Sequence, residues 1–160
     1  MGQLNPNTSI ITFYRESLKP ADSLISPSGQ NPFPAQDTVT IGIETGQWIT
    51  KDTSGNAILA TAGGYLVFPC WVGDRSDAGA ALQITAIRGP HQAQTTVFDP
   101  TPATAYAPGV PLTVDGSSRL TSAGSGDIIV AVAEGAPVGA NAQFPNGFLP
   151  YNTFNVGGKA

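Results

Sequence analysis

The sequence predicts an all-β domain, and three observations carry that prediction. Apolar residues alternate with small or polar ones over short runs, as Val39, Ile41 and Ile43 do with Thr38, Thr40 and Gly42. That is the period-2 mark of a half-buried strand. Turn-forming clusters such as Asp52-Thr53-Ser54-Gly55-Asn56 and Asp115-Gly116-Ser117-Ser118 interrupt the runs, as hairpins require. No stretch carries the apolar spacing of an amphipathic helix. Many short strands with frequent turns close into a barrel or pack as a sandwich.

Residues 1–36 contain Pro6, Pro20, Pro27, Pro32 and Pro34 with one strand-like piece, Ser9 to Tyr14. Proline has no amide donor and a fixed φ, so this segment reads as an extended arm. Its apolar side chains must bury against its own domain or a neighbouring subunit. The β domain is expected over 37–136. Its first strand, 37–43, is followed by Gln47 to Lys51, the Asp52 turn, and Ala57 to Ala60 returning. Tyr65 to Val72 is apolar apart from Pro69, which marks a bulge or the end of pairing. Gly79 to Ile87 reads as a strand from the alternation of Leu82, Ile84 and Ala86, and Thr95 to Phe98 as another. After the Pro-punctuated stretch from Pro100 to Pro111, the Asp115-Gly116 pair gives a hairpin signal, and Ile128 to Ala133 is a β-branched strand. The tail, 137–160, alternates Gly, Pro and Asn with Phe144, Phe148, Tyr151 and Phe154, aromatics too costly to leave in water.

The chain also repeats itself. Gly46 to Asp52, then Leu59-Ala60-Thr61-Ala62-Gly63 and an apolar run, is echoed by Gly109 to Asp115, then Leu120-Thr121-Ser122-Ala123-Gly124 and Ile128 to Ala133. Matched this way, the second copy is two residues shorter in its turn. Two similar halves then make up the 37–136 domain.

At 160 residues the chain suits one domain. Only 11% of residues are charged, and Gly (19) and Pro (14) are abundant, which points to a polar, sparsely charged surface covered by partners. The net charge is −4 and the seven basic residues are scattered, so phosphate neutralisation has no stripe to use and no nucleic-acid partner is expected. One cysteine, Cys70, excludes an intramolecular disulfide and reads as a small buried hydrophobe. The N-terminus has neither the basic nor the apolar region of a signal peptide. With no apolar stretch long enough to span a bilayer, the expectation is folding in a cytoplasm, with no membrane partner.

Chemistry is sparse. The sole histidine, His91, reads as a loop residue, and no nucleophile-elbow pattern supplies a serine for it. Asp74 and Asp77 lack the spacing of a calcium loop and flank Arg75, as a solvated turn would. Asp52 and Asp115 read as turn initiators. The Gly-rich pieces fit no phosphate-cradling pattern. Trp71 is expected in the core. Trp48, flanked by Gln47 and Ile49, is the better candidate for a sugar platform. No catalytic residue, metal site or cofactor is expected, and the chain is not expected to be an enzyme.

The second copy resembles a known family. Pro108-Gly109-Val110-Pro111-Leu112-Thr113, followed by Asp115-Gly116, Leu120, Ala123-Gly124 and Asp127 to Ala133, is similar to segments of the decoration, or cement, proteins on the heads of tailed bacteriophages. The resemblance implies a small barrel or sandwich of β-tulip-like form. It implies attachment to the major capsid protein on the outside of a mature head, as a homotrimer or else a dimer, and assembly in a host cytoplasm into the virion. On that view the adhesive residues are Ile10, Ile11, Phe13 and Tyr14 of the arm and Phe144, Phe148, Tyr151 and Phe154 of the tail. The competing reading is a carbohydrate-binding or adhesive β-domain of a phage fibre or tail.

Overall fold

A computed structural model describes residues 14–18, 25–27, 39–62, 66–72, 84–101 and 106–153. Among them the protein is all-β, with no helix. One five-stranded sheet runs in the order β1 (Tyr14–Leu18), β7 (Ile84–Arg88), β6 (Phe68–Val72), β4 (Trp48–Lys51), β5 (Ala57–Leu59). The other runs β8 (Gln92–Thr95), β12 (Leu149–Asn152), β11 (Ala131–Ala133), β9 (Pro111–Val114), β10 (Leu120–Ser122). A two-stranded ribbon pairs β2 (Ile25–Pro27) with β3 (Val39–Ile41). All ladder pairs are antiparallel.

The two large sheets have one topology. In each, taking its five strands in chain order, the first pairs with the last, the last with the fourth, the fourth with the second and the second with the third. The halves therefore follow each other along the chain, β1 with β4 to β7 and then β8 to β12. The correspondence extends to single hydrogen bonds. Gly46 N–H donates to Cys70 O and Gly109 N–H to Ala133 O, both at 2.8 Å; Cys70 N–H reaches Gln47 O as Ala133 N–H reaches Val110 O. Gly46 and Gly109 both have positive φ, +93° and +88°, which glycine adopts without the clash a Cβ brings. At Gly46 a Cβ would also lie 2.9 Å from Val97 Cγ2.

The two hairpin turns are equal in length, which corrects the expectation of a shorter second turn. Asp52 Oδ1 accepts the amides of Ser54 and Asn56 at 2.9 and 2.8 Å. Asp115 Oδ1 accepts those of Ser117 and Arg119 at 2.8 and 2.9 Å. In each turn the aspartate amide also bonds the carbonyl four residues on. Matching Leu59 to Leu120 by identity hid this: position for position, Ala57 corresponds to Leu120, for these residues pair with Lys51 and Val114, the last residues of β4 and β9.

The sheets also extend past the expected domain limits. β1 lies within residues 1–36 and pairs along its length with β7; β12 lies within the tail and is flanked on both sides. Leu149 and Tyr151 point into the core and alternate with half-buried Pro150 and Asn152, so the tail contains the alternation of a strand under its loop-like composition. Strand β8 begins at Gln92, ahead of the expected Thr95, and β11 starts at Ala131, since Ile128 makes only an isolated bridge. Pairing between β6 and β7 begins at Cys70, the residue after Pro69, which has no amide to offer that ladder.

Two apolar clusters form among the described residues. The inner face of the first half buries Leu18, Ile43, Ile49, Ala57, Cys70, Ile84 and Ala86. The second half buries Leu112, Val114, Leu120, Ala131, Ala133, Leu149 and Tyr151, joined by Phe98 and Tyr106 and, from the first half, by Trp48, Ala60 and Val67. Successive strand residues point to opposite faces, so Ile49 serves the first cluster while Trp48 enters the second.

Deleting residues 1–36 removes β1, the buried Leu18 and the outer partner of β7. The truncated chain is expected to melt at a lower temperature and to self-associate through the bared β7 edge, measured by thermal denaturation and light scattering. An unchanged melting temperature in a monomeric product would contradict this.

Candidate functional site

Among the described residues, the junction between the halves combines backbone strain with side-chain and backbone hydrogen bonds. The Asp115 hairpin docks its tip onto β4: Trp48 N–H donates to Ser118 O at 3.0 Å, and Ser118 Oγ donates to Ala60 O at 2.6 Å. Ser118 is buried and holds φ +61°, the left-handed conformation that Gly55 takes in the first hairpin. A non-glycine residue there carries strain, which the two hydrogen bonds offset. Arg119 ties the turn down, its Nε and Nη2 both meeting Asp115 Oδ2, at 2.9 and 2.8 Å.

Phe98 forms a parallel bridge to Leu120, flanked by Leu120 N–H to Val97 O and Asp99 N–H to Leu120 O. Asp99 then accepts the Thr101 amide at 3.0 Å. That bond is the main cause of a carboxyl held below its usual range. Tyr106 stacks edge-on against Phe98, centroids 5.6 Å apart, and donates its hydroxyl to Asp99 O.

Among the described residues, His91 and Cys70 each make contacts within the fold. His91 Nδ1 lies 2.9 Å from Gly89 O and Nε2 lies 3.4 Å from Tyr151 Oη, while its backbone is clamped by Thr153. Its ring packs edge-on against Tyr151, whose hydroxyl burial holds firmly in the protonated form. Cys70 Sγ is 3.3 Å from Glu44 O, and burial pushes the thiol up to about 12, the opposite of a reactive cysteine. Among the described residues no group of three His, Cys, Asp or Glu side chains could hold a metal ion.

The tryptophans exchange the places expected for them. Trp48 is 2% exposed and lies against Tyr151, ring centroids 6.2 Å apart, so it cannot be a sugar platform in the folded protein. Trp71 is 56% exposed. Both lie on the same face of the first sheet, because Trp48 pairs with Pro69, two residues before Trp71. The second half covers only the part of this face that holds Trp48. Flanking residues cannot reveal which tryptophan is covered, since the covering partner comes from more than sixty positions further along the chain.

The equivalent of Trp71 in the second half is Glu134. There the carboxylate accepts Gln92 Nε2 at 2.7 Å and Asn152 Nδ2 at 3.0 Å, a polar face suited to water. In the first half the same three positions hold Arg15, Trp71 and Ile87, by the strand registers.

Of the expected contact residues, Ile10, Ile11, Phe13 and Phe154 lie outside the described residues, and Tyr14 begins β1. Tyr151 is 3% exposed and serves the core, not a surface. Phe144 and Phe148 are half-buried and pack on each other, centroids 5.2 Å apart. They belong to a small hairpin in which Val138 and Phe148 exchange both backbone hydrogen bonds, and Val138 itself is exposed.

Trp48→Ala should cost about 3–5 kcal/mol, as truncation of a buried aromatic does. Ser118→Ala should cost about 1 kcal/mol for the lost hydrogen bond. Urea midpoints measure both. The raised Cys70 thiol contributes stability that is complete below the ordinary value of 9.0 and is lost as pH rises from there toward about 12. An alkylating reagent should therefore spare Cys70 at neutral pH in the native protein and modify it on unfolding.

No protein-family model, no curated protein and no solved structure matches this chain.

Proposed function

We propose that the chain is a structural protein of a phage head, binding the exterior of the mature shell as a decoration protein and stabilising it. The observation that carries this reading is Trp71. A large aromatic stands exposed at a position where the other half of the same protein has a glutamate in a polar network. One topology with opposite surface chemistry at equivalent positions supports a reading in which this face is kept for contact in the first half and for solvent in the second. Tryptophan is enriched at the anchoring points of interfaces. The sparse charge, 11% of residues, suits a protein largely covered by neighbours, and the second-half motif from Pro108 to Ala133 supplies the resemblance to cement proteins.

The mechanism is linkage: a ligand that binds the assembled lattice and not its free subunits stabilises the lattice by mass action. A barrel-like closure of the sheets and a trimeric unit with the major capsid protein as partner belong to this proposal. So do contacts from Ile10, Ile11, Phe13, Tyr14, Phe144, Phe148 and Phe154. The exposed Trp71 also favours a second reading, a glycan-binding β-domain of a fibre or tail in which that indole stacks on a sugar ring.

Cosedimentation with stripped, expanded heads tests the first reading. Saturable binding is expected, with heads more resistant to heat. Trp71→Ala should weaken it by roughly tenfold or more and leave the urea midpoint nearly unchanged, as for an exposed side chain. Binding to no head form, with glycan-array signals that vanish in Trp71→Ala, would replace it with the second.

A further inference from the structure

We infer that Asn146 is a latent deamidation site, kept closed by the Phe144–Gly147 turn and opened when the small hairpin from Val138 to Phe148 opens. Asn146-Gly147 is the only Asn-Gly pair in the chain, and Asn146 is exposed on the tip side of that hairpin. The chemistry needs no enzyme. The backbone nitrogen of Gly147 attacks the side-chain Cγ of Asn146, the amide leaves as ammonia, and the nitrogen's proton goes to solvent. Water then opens the five-membered succinimide at either carbonyl, giving aspartate or isoaspartate. A glycine after the asparagine speeds ring closure because no Cβ obstructs the attacking nitrogen.

The fold requires the glycine of that pair. Gly147 is buried with φ +72°, and a Cβ there would lie 2.5 Å from Val138 O and 3.0 Å from Val138 C, both backbone atoms. No other residue fits without moving the hairpin.

The same fold blocks the reaction. Gly147 N–H donates to Phe144 O at 3.0 Å, so the would-be nucleophile is engaged in the turn. Phe144 O also accepts Asn141 N–H at 3.1 Å, and Asn141 Oδ1 accepts the amides of Gln143 and Phe144, both at 2.9 Å. Pro145 and Asn146 occupy the centre of the turn, and Asn146 is not among the residues with positive φ. The turn is thus of the type that sets ψ near 0° at its second central residue. Ring closure requires a ψ far from that value, so the hairpin must open first.

The full chain is incubated at mildly alkaline pH, natively and in urea, and its peptides are followed by mass spectrometry for conversion of amide to acid. In urea, Asn146 should convert ahead of every other asparagine, and at least roughly tenfold faster than in the native protein, the gap reflecting local opening. Phe144→Ala removes the contact with Phe148 and should raise the native rate toward the urea rate while global unfolding stays cooperative. Equal native and denatured rates, an unchanged native rate in Phe144→Ala, or another asparagine converting first in urea would overturn the inference.

Discussion

Trp48 and Ile49 are neighbours in one strand and belong to different cores. The first sheet is therefore covered on both faces along β4, and each half depends on the other for its placement. Trp48 fills the second cluster beside Tyr151, and its backbone amide holds the tip of the second hairpin through Ser118. The position of that hairpin fixes β10, and the Val97 to Asp99 segment is stitched to β10 in turn. The indole Nε1 has no hydrogen-bond partner among the described residues.

The two halves share one backbone plan and differ in the side chains that fill it. Equivalent core positions carry Ala86 and Tyr151, Cys70 and Ala133, Ile43 and Tyr106. The second half has the bulkier aromatics because its cluster extends to the junction, where Trp48, Phe98 and Tyr106 meet. The turns diverged less than the cores. Both keep an aspartate whose carboxylate accepts two amides, the side-chain-to-backbone bonding by which aspartate organises a turn.

The sequence reveals what is local. The all-β class, the Asp-initiated hairpins and the strands around Ile49 and Leu112 follow from alternation and turn chemistry within a few residues. What depends on distant partners is hidden. The length of the second turn is obscured because matching Leu59 to Leu120 and Ala62-Gly63 to Ala123-Gly124 outweighs register, and β12 is obscured because Pro150 and Asn152 give it the composition of a loop. The reversal of Trp48 and Trp71 is the same lesson at the candidate site: Gln47 beside Trp48 and the apolar neighbours of Trp71 point the wrong way, and only the arrival of the second half buries one of them. The positions of Trp71 and Glu134 on matching faces become comparable only once the two hairpin turns are known to be equal in length. No pattern in the sequence weighted them as a pair.

Pro111 stands where β4 has Trp48, and Gly55 stands where the second hairpin has Ser118. A head-to-tail contact between unlike faces can in principle continue from one molecule to the next. Here it cannot use the bonds that join the halves. Proline has no amide to give to a neighbour's Gly55 carbonyl, and glycine has no hydroxyl to give to a neighbour's Ala123 carbonyl. The two bonds that join the halves therefore have no counterpart at the outward positions, and a filament of such repeats could not be held by them.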